Sequence, residues 1–355
     1  MSVLEERYAS AAMKEIWSKE SKIRLERELW IAVMKAQIDV GLNIDRDAIR
    51  AYESVINKID LDSINAREKI TRHDVKARIE EFNHLAGFEY IHIGMTSRDI
   101  TENIELVQIF KALNLTAKKV RSFLHLLSIR AEEFKEVAMV GRTHNVPAQV
   151  TTLGRKIANW AEELLFSYSH LMELIMRLPL KGVKGAIGTS SDLIELVGEN
   201  FEQIDERIME FLGFETKLLA PSQIYPRSID LEVVATLNQV AATPSNVAVN
   251  IRLMSGLGLL SERLEKGQTG SSAMPHKVNP RLSERVNSLA IALKGYLTMV
   301  NELSGNQWNE GDVSCSAVRR IALTDSFYAI DAILDTCIYV LDSIDVDKEA
   351  IASEL

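Results

Sequence analysis

Between Thr96 and Phe134 apolar side chains return every three or four positions: Ile100, Ile104, Val107, Phe110, Leu113, Ala117, Val120, Leu124, Leu127 and Ala131. That spacing lays one stripe along a 3.6-residue helix. Thr96, with Asp99 three residues on, has the form of a capping box that opens it. The same period predicts long helices over 148–177, 229–266 with Pro244 as a kink, 282–303 and 318–341. Helices longer than the usual ~10–14 residues favour a bundle shared between subunits. The first proline is Pro147, so the preceding stretch, rich in Ala, Leu, Glu, Lys and Arg, carries no strong helix breaker of that kind.

The fold class is therefore all-α. Residues 1–93 read as a small N-terminal helical domain. Residues 94–343 read as a central bundle interrupted by a loop at 266–280, and 344–355 as the stub of a C-terminal helical domain. Strand signal is weak; the glycine-rich stretch Pro179 to Ser190 is a loop or a short hairpin.

Composition narrows the function. Of 355 residues, 46% are hydrophobic and 26% charged, an ordinary globular balance. The net charge of −9 argues against a general nucleic-acid or membrane-surface partner, which would want a basic field. Cys315 and Cys337 make no disulfide framework, and a reduced, cytoplasmic setting is the simpler reading. The opening MSVLEERYASAAMKEIWSKES lacks the apolar core of a secretion signal. No run reaches the ~18 apolar residues of a membrane span. There is no phosphate-loop or dinucleotide fingerprint, and His73, His84 and His92 lack zinc-site spacing. No cofactor and no metal are expected.

A few segments do not read as helix faces. KGQTGSSAMPHKVNP, Lys266 to Pro280, is either a surface connector or a lid. A bare linker has no need of a His-Lys-x-Asn run, and backbone N–H groups near Ser271, with Lys277 and Asn279, can hold carboxylates. GRTHNVPAQ places His144 beside Thr143 just ahead of a predicted helix, as a structural or a catalytic histidine. Thr96 and Ser97 stand at a helix start, where free N–H groups favour an anion. TRHDV puts Arg72, His73 and Asp74 in a row; on a helix these point apart, and a solvated face is the plainer reading. Ser316 and Arg320, four apart, share a helix face and suit a phosphate, or simply end a charged helix.

Together these segments resemble the fumarase/aspartase superfamily, and within it the adenylosuccinate lyases. GSSAMPHKVNP is similar to the superfamily's signature loop, and GRTHNVPAQ and GMTSRDITEN to its two other characteristic regions. RY at Arg7 and Tyr8, RHDV, SQIYPR at Ser222 to Arg227, and SAVRR carry the finer resemblance. It implies a homotetramer, each site assembled from three subunits, that splits adenylosuccinate into AMP and fumarate and acts likewise on the succinyl-carboxamide intermediate of purine synthesis. By position, Ser271 matches the general base and His144 the general acid, with Glu284 as its partner. His73 matches a substrate-orienting histidine. Thr96, Ser97, Lys277 and Asn279 match the carboxylate grip. Gln223, Arg227 and Arg285, with Arg72, Asp74 and Thr143 inside the matching motifs, are expected at the substrate. Arg7, Tyr8, Ser316 and Arg320 match the phosphate site. Two residues depart from the family's pattern, Gly311 and Ser190, and the chain stops at Leu355 where relatives continue into a third domain. The competing readings are another lyase or cycloisomerase of the superfamily, or a catalytically silent helical scaffold.

Overall fold

The computed structural model describes residues 2–263, 274 and 278–355. Six helices lead in: α1 (Val3–Arg7), α2 (Ala11–Trp17), α3 (Lys19–Asp39), α4 (Arg46–Val55), α5 (Leu61–Thr71) and α6 (Asp74–Ala86). The long elements follow: α7 (Ser97–Glu133), α8 (Leu153–Arg177), α11 (Ser228–Gly256), α12 (Arg281–Asn301) and α13 (Ser316–Ser343). Two shorter helices, α9 (Ser191–Val197) and α10 (Phe201–Leu212), lie between α8 and α11, and α14 (Lys348–Ser353) comes last.

The apolar stripe of α7 is buried as its period requires: Ile100, Ile104, Leu113, Val120 and Leu127 are all sealed from solvent. One hydrophobic cluster runs from Leu4 in α1 through the long helices to Ile351 in α14. Burying a side chain of this kind is worth about 1.5–3 kcal/mol, so a shared seam of this length dominates the cohesion of the helices. Gly154, at the start of α8, lets that helix lie against the end of α7. A β-carbon there would sit 2.3 Å from the carbonyl oxygen of Ala131.

Two of the expected helix spans change, and the chain's last residues make contacts of their own. The helix expected from residue 148 begins at Leu153, because the preceding residues form a hairpin: β1 (Ala138–Thr143) pairs antiparallel with β2 (Val146–Thr152). Val140, Thr143, Val146, Val150, Thr151 and Thr152 are β-branched and suit a pleated ribbon better than a helix. Pro147 is accommodated where the register slips, next to Gly141 and Arg142. Next, α11 stops at Gly256 rather than at 266, where the chain turns through Gly258 at φ +75°. Helices commonly end this way, on a left-handed glycine. Pro244 lies inside α11, which continues through it. Finally, the last residues fold back. β4 (Asp345–Val346) pairs with β3 (Leu260–Ser261), and Glu354 forms an ion pair with Arg142 of the hairpin at 2.6 Å.

Candidate active site

The stretch Thr71 to Val75 is not one helix face. It is a break between two helices: Arg72 and His73 are solvent-exposed, as the solvated-face reading expects, but they do not share a helix with Asp74. Arg72 closes α5 in the left-handed region at φ 55°, and His73 is the N-cap of α6. The ring accepts the Lys76 N–H at Nδ1, 3.2 Å away. A neutral ring bonded in this way carries its proton on Nε2. That nitrogen lies 3.2 Å from Ser97 Oγ, in the first turn of α7. The break therefore aims the imidazole at the very helix start that sequence reading singles out as an anion site.

The start of α7 is pinned from below. The Thr96 N–H donates to the Asp99 carboxylate at 2.9 Å, the capping contact that its spacing predicts. Asp99 is fully buried and also accepts Lys181 Nζ at 2.7 Å and the N–H groups of Lys184 and Gly185 at 3.0 and 3.2 Å. One carboxylate thus ties the glycine-rich loop after Leu180 to the turn carrying Thr96 and Ser97. Behind the same turn, His92 accepts the Trp30 indole N–H at Nδ1, 3.1 Å. Burial depresses its pKa to about 4, so it stays neutral.

His73, Asp74 and Ser97 line a cleft of about 700 Å³ together with Ser316 and Arg320. The latter two share a face of α13, as their spacing predicts. Arg72 lines an adjoining cavity of about 480 Å³, again with Arg320. Burial works against the charge on Asp74, but Arg78, 3.3 Å away, outweighs it and keeps the carboxyl below its ordinary range.

Behind the cleft lies an ionic network that sequence reading missed. Arg319 donates to Asp230 at 2.7 Å and to Glu105 at 2.8 Å. Burial raises the Glu105 pKa, yet Arg319, Lys22 and Arg227 outweigh it and hold the carboxyl at about 2. Arg227, expected at the substrate, is only 4% exposed and grips both oxygens of Glu102 at 2.9 Å. Within this chain it braces the wall and does not line the cleft. The Gln223 N–H donates to the Glu310 carbonyl at 3.0 Å. A β-carbon on Gly311 would lie 3.3 Å from Ile224, so any side chain there needs Ile224 to give way.

A second cleft, about 850 Å³, gathers Arg7, Tyr8, Asn279, Glu284 and Arg285. The guanidinium of Arg285 stands 5.5 Å from the Tyr8 ring centroid. The first turn of α12 is held by buried Glu262, which accepts the N–H groups of Leu282 and Ser283 at 3.0 and 2.7 Å. No periodicity marks Glu262 for that role.

Thr143 and His144 stand apart from both clefts. His144 and Asn145 form the tip of the hairpin at φ 50° and 62°, the left-handed pair that a tight two-residue turn requires. Both Thr143 and His144 are exposed, and His144 shares neither cleft with Glu284. Ser271 and Lys277 lie outside the described residues.

Known proteins resemble this chain in sequence and in fold. The lyase family pattern fits residues 5–295. The adenylosuccinate lyase of Saccharomyces cerevisiae is 35% identical over 347 residues, 95% of this chain and 72% of that protein. That of Archaeoglobus fulgidus is 32% identical over 351 residues, 98% of this chain and 78% of its own. Among solved structures, a 3-carboxy-cis,cis-muconate lactonizing enzyme from Pseudomonas putida superposes with a TM-score of 0.88 at 23% identity, covering 99% of this chain and 79% of that one, which speaks for the fold alone. The chain is a lyase, and it belongs to the adenylosuccinate lyase family.

Proposed function

We propose that the chain cleaves adenylosuccinate to AMP and fumarate, and the succinyl-carboxamide ribotide of purine synthesis in the same way. The observation that carries the reading is the contact between His73 Nε2 and Ser97 Oγ at the start of α7, in one cleft with Ser316 and Arg320. That cleft offers a carboxylate grip at a helix N-terminus and a hydroxyl-guanidinium pair for phosphate.

The reaction is a redox-neutral β-elimination. A base takes the proton from the succinyl Cβ, the C–H electrons become the double bond of fumarate, and the C–N pair leaves with the nitrogen, which takes up a proton. Loss of the first proton loads charge onto the neighbouring carboxylate, so donors at Thr96, Ser97, Lys277 and Asn279 lower the barrier. In this reading Ser271 is the base and His144 the acid, with Glu284 orienting the imidazole. His73 orients the substrate, and Arg7, Tyr8, Ser316 and Arg320 hold its phosphate.

Of these groups, His73, Ser97, Ser316 and Arg320 line one cleft, Arg7, Tyr8, Asn279 and Glu284 another, and His144 stands at an exposed hairpin tip, which fits a site assembled between copies of a cytoplasmic homotetramer. Apolar side chains left exposed on the long helices, Phe166, Leu253 and Ile291 among them, supply faces for such packing. The test is fumarate release from adenylosuccinate, followed by absorbance, with native mass measured on the same sample. Turnover by an oligomer supports the proposal. Turnover only of a non-nucleotide succinyl compound favours another lyase of the superfamily, and an active monomer removes the shared site.

A further inference from the structure

Four cationic side chains besides His73 face the cleft that holds Ser97 and Ser316: Lys22, Arg98, Arg319 and Arg320. Two are already neutralised. Arg98 pairs with Glu102 at 3.3 Å, and Arg319 with Asp230 and Glu105 at 2.7 and 2.8 Å. Among the described residues, the side chains of Lys22 and Arg320 form no ion pair and no hydrogen bond. Both also line the adjoining cavity with Arg72, so they stand on the shared boundary of the two spaces.

Three carboxylates close enough to act on Lys22 come from three elements and are each engaged by an arginine; Glu68 of α5, which lines the adjoining cavity with Lys22, is not. Glu26, one turn along α3, takes Arg78 at 2.5 Å; Asp74, in α6, takes the same guanidinium at 3.3 Å; Glu105, in α7, takes Arg319. Lys22 adds to the field that keeps these carboxylates charged, but none of them closes an ion pair with its ammonium. That ammonium sits on a half-buried side chain. Withdrawing a cation from water without a partner is unfavourable, and an anion arriving in the cleft offsets that cost. Its neighbours suit one kind of anion: the hydroxyl of Ser316 and the fork of Arg320 stand on one helix face, and a compact ammonium adds a third point of charge.

We propose that Lys22 is a substrate-binding residue that, with Ser316 and Arg320, holds the phosphate of the nucleotide; this rests on the function proposed above. The test compares adenylosuccinate with succinyladenosine, which has the same succinyl group and no phosphate, in the full chain and its Lys22→Gln and Lys22→Arg variants. Losing one charge-assisted contact is expected to raise KM for adenylosuccinate about ten- to a hundredfold in Lys22→Gln. The loss falls in KM rather than kcat, because the contact is made equally in ground and transition state. KM for succinyladenosine stays at the wild-type value, and Lys22→Arg recovers most of the loss. Equal effects on both substrates, or none on either, overturn the assignment. Should the wild-type chain release fumarate from neither compound, the functional reading fails by itself. Calorimetry with AMP and adenosine then decides Lys22: a weaker AMP affinity in Lys22→Gln with adenosine unaffected supports it, and equal AMP affinity overturns it.

Discussion

The cleft beside His73 and the hairpin tip at His144 hold their histidines in opposite ways. His73 is fixed by its own chain: a helix break turns it, Lys76 sets its tautomer, and Ser97 receives its proton-bearing nitrogen. His144 has none of this. It stands exposed on a two-residue turn, with no hydrogen bond to it among the described residues. A histidine that orients substrate gains from being held in place. In the function proposed above, one that hands over a proton in a site built between copies has to be presented outward, so its surroundings come from elsewhere. On that proposal the same chain carries a finished half-site and an unfinished one.

The sharpest way to break this comparison is His144→Asn, since asparagine tolerates the left-handed turn. Loss of a general acid is expected to lower kcat by about 10²–10⁴-fold, while melting temperature, read by calorimetry, barely moves. Activity within a few-fold of wild type would remove His144 from the chemistry. The opposite pattern is expected on the other side. Arg319→Met strips the cation from Asp230 and Glu105, and breaking a buried pair costs about 3–5 kcal/mol. Denaturant unfolding reads that loss directly; a variant as stable as wild type means that the network does not carry the wall.

The smallest effect concerns His92. Its pKa is near 6.5 unfolded and about 4 folded, so between these values the unfolded chain binds the extra proton. Stability therefore falls as pH drops from about 6.5 towards 4, by up to about 3 kcal/mol in total. His92→Asn keeps an acceptor for Trp30, suits the positive φ of 67°, and removes the titration. Its unfolding free energy should slope less with pH across that window. Identical slopes for the two proteins would rule His92 out as the source.

What could be read in the sequence depended on the range of the signal. Helix α7 and its capping pair Thr96 and Asp99 are local: a period and a three-residue spacing suffice. The match of Ser316 and Arg320 to one face of α13 is local too. The break at Arg72 was hidden because the left-handed residue is not a glycine and no proline follows. The hairpin was hidden because its β-branched run is short and includes Pro147, which usually argues against a strand. The network behind the cleft has no local signal at all. Arg227 and Glu102 are 125 positions apart, and nothing in either neighbourhood names the other. For the same reason the motif that marks Arg227 as a substrate residue says nothing of its contact with Glu102.

The ion pair between Arg142 and Glu354 joins positions 212 apart and ends one residue short of the turn that bears His144. It ties the tail to the strand that leads into the hairpin tip. With His144 as the proton donor proposed above, a substitution at Glu354 is expected to alter proton delivery without touching any group that meets substrate.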